Sequence, residues 1–212
     1  MEKTIFWNVD TQKDFMNKDG KLYVEGAEDI KRNLKKITEF AREKNIKVIS
    51  TGDYHTADSK ELSKNPDFKT TFPEHCIVGS EGTEFIEETN PKKIAEENYV
   101  IINWSDDDFP VEKVREFRNI VLHKDAFDVF EGNPWALNVL AALFPETVVV
   151  YGVATNVCVD HAINGLLEED CNVVVVRDAI KELPGCDKDS MLKKWKDKGV
   201  TVISTNKLIN IK

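Results

Sequence analysis

Five side chains able to do chemistry fall just beyond short apolar runs of the chain: Asp10, Asp53, His55, Lys124 and Cys158. Cys158 closes a turn that begins at Gly152 and opens an amphipathic stretch. A turn from strand to helix can set its sulfur at the positive end of the helix, where a thiolate is favoured. The backbone N–H groups of such a turn can also face a developing oxyanion. Asp10 is a natural companion, able to take a thiol proton and return it to a leaving amine. A lysine beside both groups, Lys124, would hold the carboxylate in place and favour negative charge on its neighbours. Read singly, Asp10 is equally a turn residue and Lys124 a solvated charge, while the position of Cys158 favours a nucleophile over an inert buried thiol. Read together, they describe nucleophilic acyl transfer. Cys171 and Cys186 have no such setting and read as inert.

The histidines add a second chemistry. Of four in the chain, His55 and His75 fall in one long polar stretch. Asp53 and His55 are two residues apart, so an extended backbone aims both the same way. His75 could return from the far side of the loop to complete a set of one carboxylate and two imidazoles. That set suits zinc, iron(II) or manganese, with water at the open positions. His123 alternates away from Lys124 along its strand and His161 falls inside a helix, so both read as structural.

These residues need a frame that brings distant segments to one edge. Apolar runs at 4–9, 47–51, 119–123, 147–151, 172–177 and 200–204 read as strands, and 99–103 as an extra edge strand. Residues 28–44 carry Ile30, Leu34, Ile37, Phe40 and Ala41 at helical spacing. Helices also fit 135–143, 158–168 and 188–198, with a short one at 111–117. Strands apolar throughout and separated by helices predict a doubly wound, mostly parallel α/β sheet with helices on both faces. In such sheets ligands bind beyond the carboxyl ends of the strands, which is where the reactive residues collect. The polar stretch from residue 52 to about residue 91 is long for a compact domain, and loops of that kind are usually functional.

The chain has 212 residues, enough for a single domain over 1–212, and a formal net charge of -9. An acidic surface without basic clusters argues against nucleic acid as partner. No apolar run is long enough to cross a bilayer, and the first residues lead directly into a strand, so the expected location is cytoplasmic. Four scattered cysteines fit reduced thiols. A small molecule is the expected partner, with a homo-oligomer left open.

The motifs resemble a known family. The run from Asp10 to Phe15, the segment Thr51-Gly52-Asp53-Tyr54-His55, and Pro73-Glu74-His75-Cys76 followed by Gly79 and Gly82-Thr83-Glu84-Phe85 are similar to nicotinamidases of the isochorismatase-like cysteine hydrolase superfamily. So are Lys124, followed by Phe127 and Phe130, and the turn from Gly152 to Cys158. The likeness runs from the first strand to the fifth. Asn156 stands where an acidic residue is common, and Tyr54 where a tryptophan is frequent.

The resemblance implies hydrolysis of nicotinamide to nicotinic acid and ammonia through a thioester on Cys158, with Asp10 and Lys124 as its catalytic partners. It implies a cis peptide between Val153 and Ala154, and an oxyanion hole from the Ala154 and Cys158 N–H groups. It further implies one divalent ion on Asp53, His55 and His75, zinc first and iron or manganese as alternatives, positioning the pyridine nitrogen. Phe15, Tyr54, Phe127 and Phe130 are expected to line the pocket. The rivals are a carbamoyl or ureido amidase of the same superfamily, with polar lining and no metal ligands, and a non-catalytic binding relative. A flavodoxin-like cofactor protein would need a glycine-rich phosphate loop after the first strand, which is missing.

Overall fold

The computed structural model describes residues 3–94 and 98–210. Seven strands form one sheet: β1 (Thr4–Val9), β2 (Lys47–Asp53), β3 (Tyr99–Ile102), β4 (Asn119–Lys124), β5 (Thr147–Val153), β6 (Asn172–Lys181) and β7 (Thr201–Ile203). Their order is β3-β4-β2-β1-β5-β6-β7, and every pairing is parallel. The helices are α1 (Lys13–Met16), α2 (Lys31–Glu43), α3 (Pro91–Ile94), α4 (Val129–Gly132), α5 (Ala136–Leu143), α6 (Cys158–Glu168), α7 (Lys188–Asp197) and α8 (Thr205–Ile209). The doubly wound parallel sheet expected from the sequence is therefore present. Among the described residues no helix is long and apolar enough to cross a membrane.

Alternation along the strands feeds two cores. In β1, Phe6 joins Leu34 and Ile37 of α2 on one face, while Trp7 joins Val159 and Ile163 of α6 on the other. This is why the central strands are apolar along much of their length: both faces are covered. The chain builds outward from β1 to β2, β3 and β4, then returns to lay β5 on the other side of β1. The reversal leaves a crevice at the carboxyl ends of β1 and β5, the usual ligand position in such sheets.

Register does the fine placement. Asp53, the last residue of β2, is the direct partner of Lys124, the last of β4. Val9 pairs with Gly152, so Asp10 leaves β1 beside the turn that leads to Cys158. Gly152 has φ 121°, and a Cβ there would fall 2.0 Å from the Val9 carbonyl oxygen.

The differences from the sequence reading are local. Strands β2, β4 and β5 run one or two residues further than their apolar runs and β6 four further, while β3 and β7 are one or two residues shorter. Residues 27–43 begin as a 3-10 turn (Ala27–Ile30) before α2, and the expected helix at 111–117 is a 3-10 turn at Val111–Arg115. Helices α1, α3, α4 and α8 are one turn or little more, too short to show a periodicity.

Candidate active site

Asp10 has φ 47°, in the left-handed region that aspartate tolerates better than most residues. Its backbone N–H donates to the Thr51 carbonyl at 3.1 Å, and the Thr51 hydroxyl donates to its Oδ1 at 2.5 Å. The Lys124 Nζ lies 3.1 Å from Asp10 Oδ2 and 3.7 Å from Cys158 Sγ, and it forms a close ion pair with Asp53 Oδ1. These side chains are all buried. The three candidates for acyl transfer thus converge from β1, β4 and the start of α6.

The electrostatics of this cluster follow from burial set against charge. Burial pushes the Asp10 carboxyl above its usual range, against the pull of Lys124 and the Thr51 hydroxyl. Burial also pushes the Cys158 thiol well up, only partly offset by Lys124. Burial alone would favour a neutral amine on Lys124, but the Asp10 and Asp53 carboxylates outweigh it and hold the ammonium. Burial thus favours the neutral form of the Cys158 thiol and makes the Asp10 carboxylate more basic than an exposed one. Such a pair is suited to moving a proton during the reaction rather than before it.

Asp53, His55 and His75 are buried together, with their donor atoms within 4.8 Å of one another. His55 Nε2 is 3.6 Å and His75 Nε2 is 3.4 Å from Asp53 Oδ2. The opposite ring nitrogens are tied back: His55 Nδ1 to Asp125 Oδ1 at 2.6 Å, His75 Nδ1 to the Pro73 carbonyl at 2.7 Å. A carboxylate or carbonyl behind each imidazole is the outer-shell pattern that orients metal ligands. His55 Nε2, although buried, has no hydrogen-bond partner, and neither does Oε2 of Glu61 3.9 Å away. The donor set and the orphaned nitrogen fit a divalent ion. Burial would lower Asp53 stability as an anion, yet Lys124 and the two histidines hold its carboxyl well below the usual range. The Gln12 amide fixes its backbone from both sides, donating to Asp53 O at 2.8 Å and accepting from Asp53 N at 2.7 Å.

Cys158, Ala154, Asp53 and His75 share one cavity, whose other walls include Phe15, Leu22, Phe72, Phe127 and Val157. The Val153–Ala154 peptide is cis. Two of the expected pocket residues lie elsewhere. Tyr54 stacks on His123, ring centroids 4.3 Å apart, and lines a separate cavity near β3 and β4. The reason is alternation: an extended chain that aims Asp53 and His55 one way must turn Tyr54 the other. Phe130 packs on Trp7, 5.8 Å between centroids, and against Gly165 in the core beneath α6. The aromatic missed in the sequence is Phe72, edge-on to Phe127 at 5.6 Å. Asp125 and Glu61 were also missed; the position of Asp125, directly after Lys124 at a strand end, was the available signal.

Fold and site together define an isochorismatase-like hydrolase. The isochorismatase domain model matches residues 4–116 and 103–207, and the chain belongs to that family. Over 77 residues, 36% of the chain, it is 31% identical to the nicotinamidase/pyrazinamidase of Mycobacterium tuberculosis, a match spanning 40% of that relative's length. The pyrazinamidase of Pyrococcus horikoshii, solved in complex with zinc, superposes with a TM-score of 0.71 at 22% identity, covering 95% of this chain and 99% of that one. The N-carbamoylsarcosine amidase of Thermoplasma acidophilum gives 0.72 at 22%, covering 96% and 97%. At these identities the structures share a fold, and the fold alone does not choose between their substrates.

Proposed function

We propose that this protein hydrolyses nicotinamide to nicotinic acid and ammonia. The observation that carries the reading is the cavity itself, which joins Cys158 to the Asp53, His55 and His75 cluster through apolar and aromatic walls. Phe15 and Phe127 both line the cavity, where they would contact a flat ring, and a ring nitrogen directed at the histidine cluster would leave the carboxamide toward Cys158. A carbamoyl or ureido acid would need a cation for its carboxylate, whereas among the described residues no arginine or lysine lines the cavity. The residues for a divalent ion, zinc first and iron or manganese as alternatives, are Asp53, His55 and His75. Bound there, the ion would supply a Lewis-acid point for holding the substrate.

In the proposed reaction Asp10 accepts the Cys158 proton as the sulfur attacks the carboxamide carbon. The N–H groups of Ala154 and Cys158 would face the oxyanion. Asp10 then gives its proton to the departing nitrogen, releasing ammonia and leaving a thioester. A water enters, Asp10 takes its proton, and the hydroxide attacks the thioester; the acid departs as the C–S bond breaks, and Asp10 returns the proton to the sulfur, restoring the thiol. Lys124 stays protonated throughout, balancing Asp10 and Asp53 and lying close enough to favour the thiolate.

Ammonia release from nicotinamide, N-carbamoylsarcosine and an aliphatic amide tests the reading. We expect nicotinamide to be preferred by a kcat/KM factor of about 100 or more, the scale on which a site built for one polar contact rejects analogues lacking it. Preference for the carbamoyl compound would overturn it.

A further inference from the structure

On the face of the sheet away from α6, the edge strand β3 helps enclose a second cavity of about 370 Å³. Its position follows from alternation along β4. Val121 and His123 line it, while Leu122 and Lys124 turn to the other face, toward α6 and Cys158. Tyr54, Phe85 and Tyr99 supply further aromatic walls, and exposed Glu84 and Lys92 bring charge. The volume is in the range of small-molecule sites. No cysteine is among the described residues that line it, so the cavity is a place to hold a ligand rather than to acylate on one.

His123 is the group that points to a ligand. It is 9% exposed, and its ring stacks on Tyr54. Its Nδ1 lies 2.8 Å from Asn103 Oδ1. The Asn103 amide nitrogen faces Asp106 Oδ1 at 3.4 Å, which fixes the Asn103 oxygen as the acceptor and puts the imidazole proton on Nδ1. Nε2 is therefore a lone-pair acceptor, and burial keeps the ring neutral by lowering its pKa to about 4. Among the described residues nothing donates to Nε2. An acceptor set in an aromatic cavity selects a ring that carries an N–H donor. Glu84 is paired with Lys13 at 2.8 Å, so among the described residues the Lys92 ammonium is the charge left for a ligand.

We infer that this cavity is a second binding site, which takes an amino-bearing nucleobase as its nucleoside or nucleoside monophosphate. The amino group donates to His123 Nε2 while the base lies against the aromatic walls, the combination of stacking and edge hydrogen bonding by which proteins hold unpaired bases. A lone ring would leave much of the volume empty. A ribose fills it, with Asn90 and Glu84 as partners for its hydroxyls, and a phosphate would meet Lys92. The inference does not depend on the reaction proposed at Cys158, although the two faces meet at Tyr54. The Tyr54 N–H donates to the Lys124 carbonyl and its carbonyl accepts from Trp104 Nε1, both at 2.9 Å. A bound base thus rests on the residue between Asp53 and His55.

The test is isothermal titration calorimetry of the full-length protein with adenosine, adenosine 5′-monophosphate and purine riboside, which is adenosine without the amino group. Adenosine is expected to bind once per chain with a Kd of about 1 mM or tighter. Purine riboside is expected to bind about tenfold or more weakly, because it leaves Nε2 unpaired. His123→Phe, which keeps a stacking ring, should erase that difference. A monophosphate that binds tighter than adenosine, by a margin lost in Lys92→Ala, identifies the nucleotide as the occupant; equal or weaker binding identifies the nucleoside. Leu183→Trp, which narrows the apolar cavity beside Cys158, should leave adenosine binding unchanged. Three results would each overturn the inference: no saturable binding of adenosine or its monophosphate to the wild-type protein in this range, equal affinity for purine riboside, or loss of binding in Leu183→Trp.

Discussion

Asp10, Lys124 and Cys158 sit at strand ends and a helix start, whereas His75 and Glu61 hang from the long loop between β2 and α3. The first group is placed by the ladders of the central sheet, in which neighbouring backbones fix each other to fractions of an ångström. The second is placed by individual hydrogen bonds: Asp125 on His55, the Pro73 carbonyl on His75, and Asp14 Oδ2 accepting from the Cys76 N–H at 2.7 Å. Asp53 belongs to both, paired with Lys124 and facing both imidazoles. A site built this way divides its labour. In the proposed reaction the rigid half would carry the bond-making atoms, and the loop half the groups that would hold a divalent ion and orient the substrate.

The sharpest break in that comparison comes from the nucleophile. Cys158→Ala should lower kcat by at least ~10⁴-fold in an ammonia-release assay while leaving substrate binding and the unfolding midpoint close to wild type. Cys171→Ala and Cys186→Ala should remain active. Substantial turnover by Cys158→Ala would mean that the thiol is not the attacking group.

Next in size is the charge pair. Asp10→Asn should lose about 10²–10⁴-fold in kcat, because an amide cannot take the thiol proton. Lys124→Met should be comparably inactive and also less stable by about 3–5 kcal/mol in urea, since it strands two buried carboxylates. A Lys124→Met protein as stable as wild type would show that the carboxylates find other compensation.

The loop half should fail differently. His75→Ala, or stripping the ion with chelator, should raise KM for nicotinamide about 10–100-fold, with a smaller effect on any aliphatic amide that is turned over. Asp125→Asn should weaken metal affinity by a similar factor, because it loosens His55 without removing a ligand. A metal-free protein with full activity would sink the role of this half.

The smallest effect lies on the reverse face of β4. His123, hydrogen-bonded to Asn103 at 2.8 Å, is held by burial at a pKa of about 4. Below the unfolded value of about 6.5 the unfolded chain binds a proton that the folded chain refuses. Its contribution is therefore intact above that pH and shrinks as pH falls from about 6.5 to about 4, by roughly 2–3 kcal/mol. Urea titrations across this window should show a shallower acid loss for His123→Phe than for wild type. Parallel curves would show that His123 titrates normally.

Much of the rigid half was legible in the chain. The apolar runs located the strands, and the reactive residues were those just past them, because a parallel sheet presents its strand ends at one edge. The loop half was legible only in part. The single residue between Asp53 and His55 carried a geometric meaning, and the same alternation already implied that Tyr54 points away. Phe72 and Glu61 could not be read, since their directions depend on how a loop with no periodicity folds back on β4. Phe130 misled because a short helix, α4, turns it inward three residues after Phe127.

Gly152 gives the site a further property. The strands that lead to Asp10 and Cys158, β1 and β5, run side by side, and where they approach, the Val9 carbonyl occupies the place a Cβ on residue 152 would need. The separation of Asp10 and Cys158, the proposed acid–base group and nucleophile, thus depends on the missing methyl group at residue 152. For anyone reshaping this scaffold toward another amide, the lining of the cavity is open to exchange, while residue 152 is a fixed shim: altering it would detune every substrate at once.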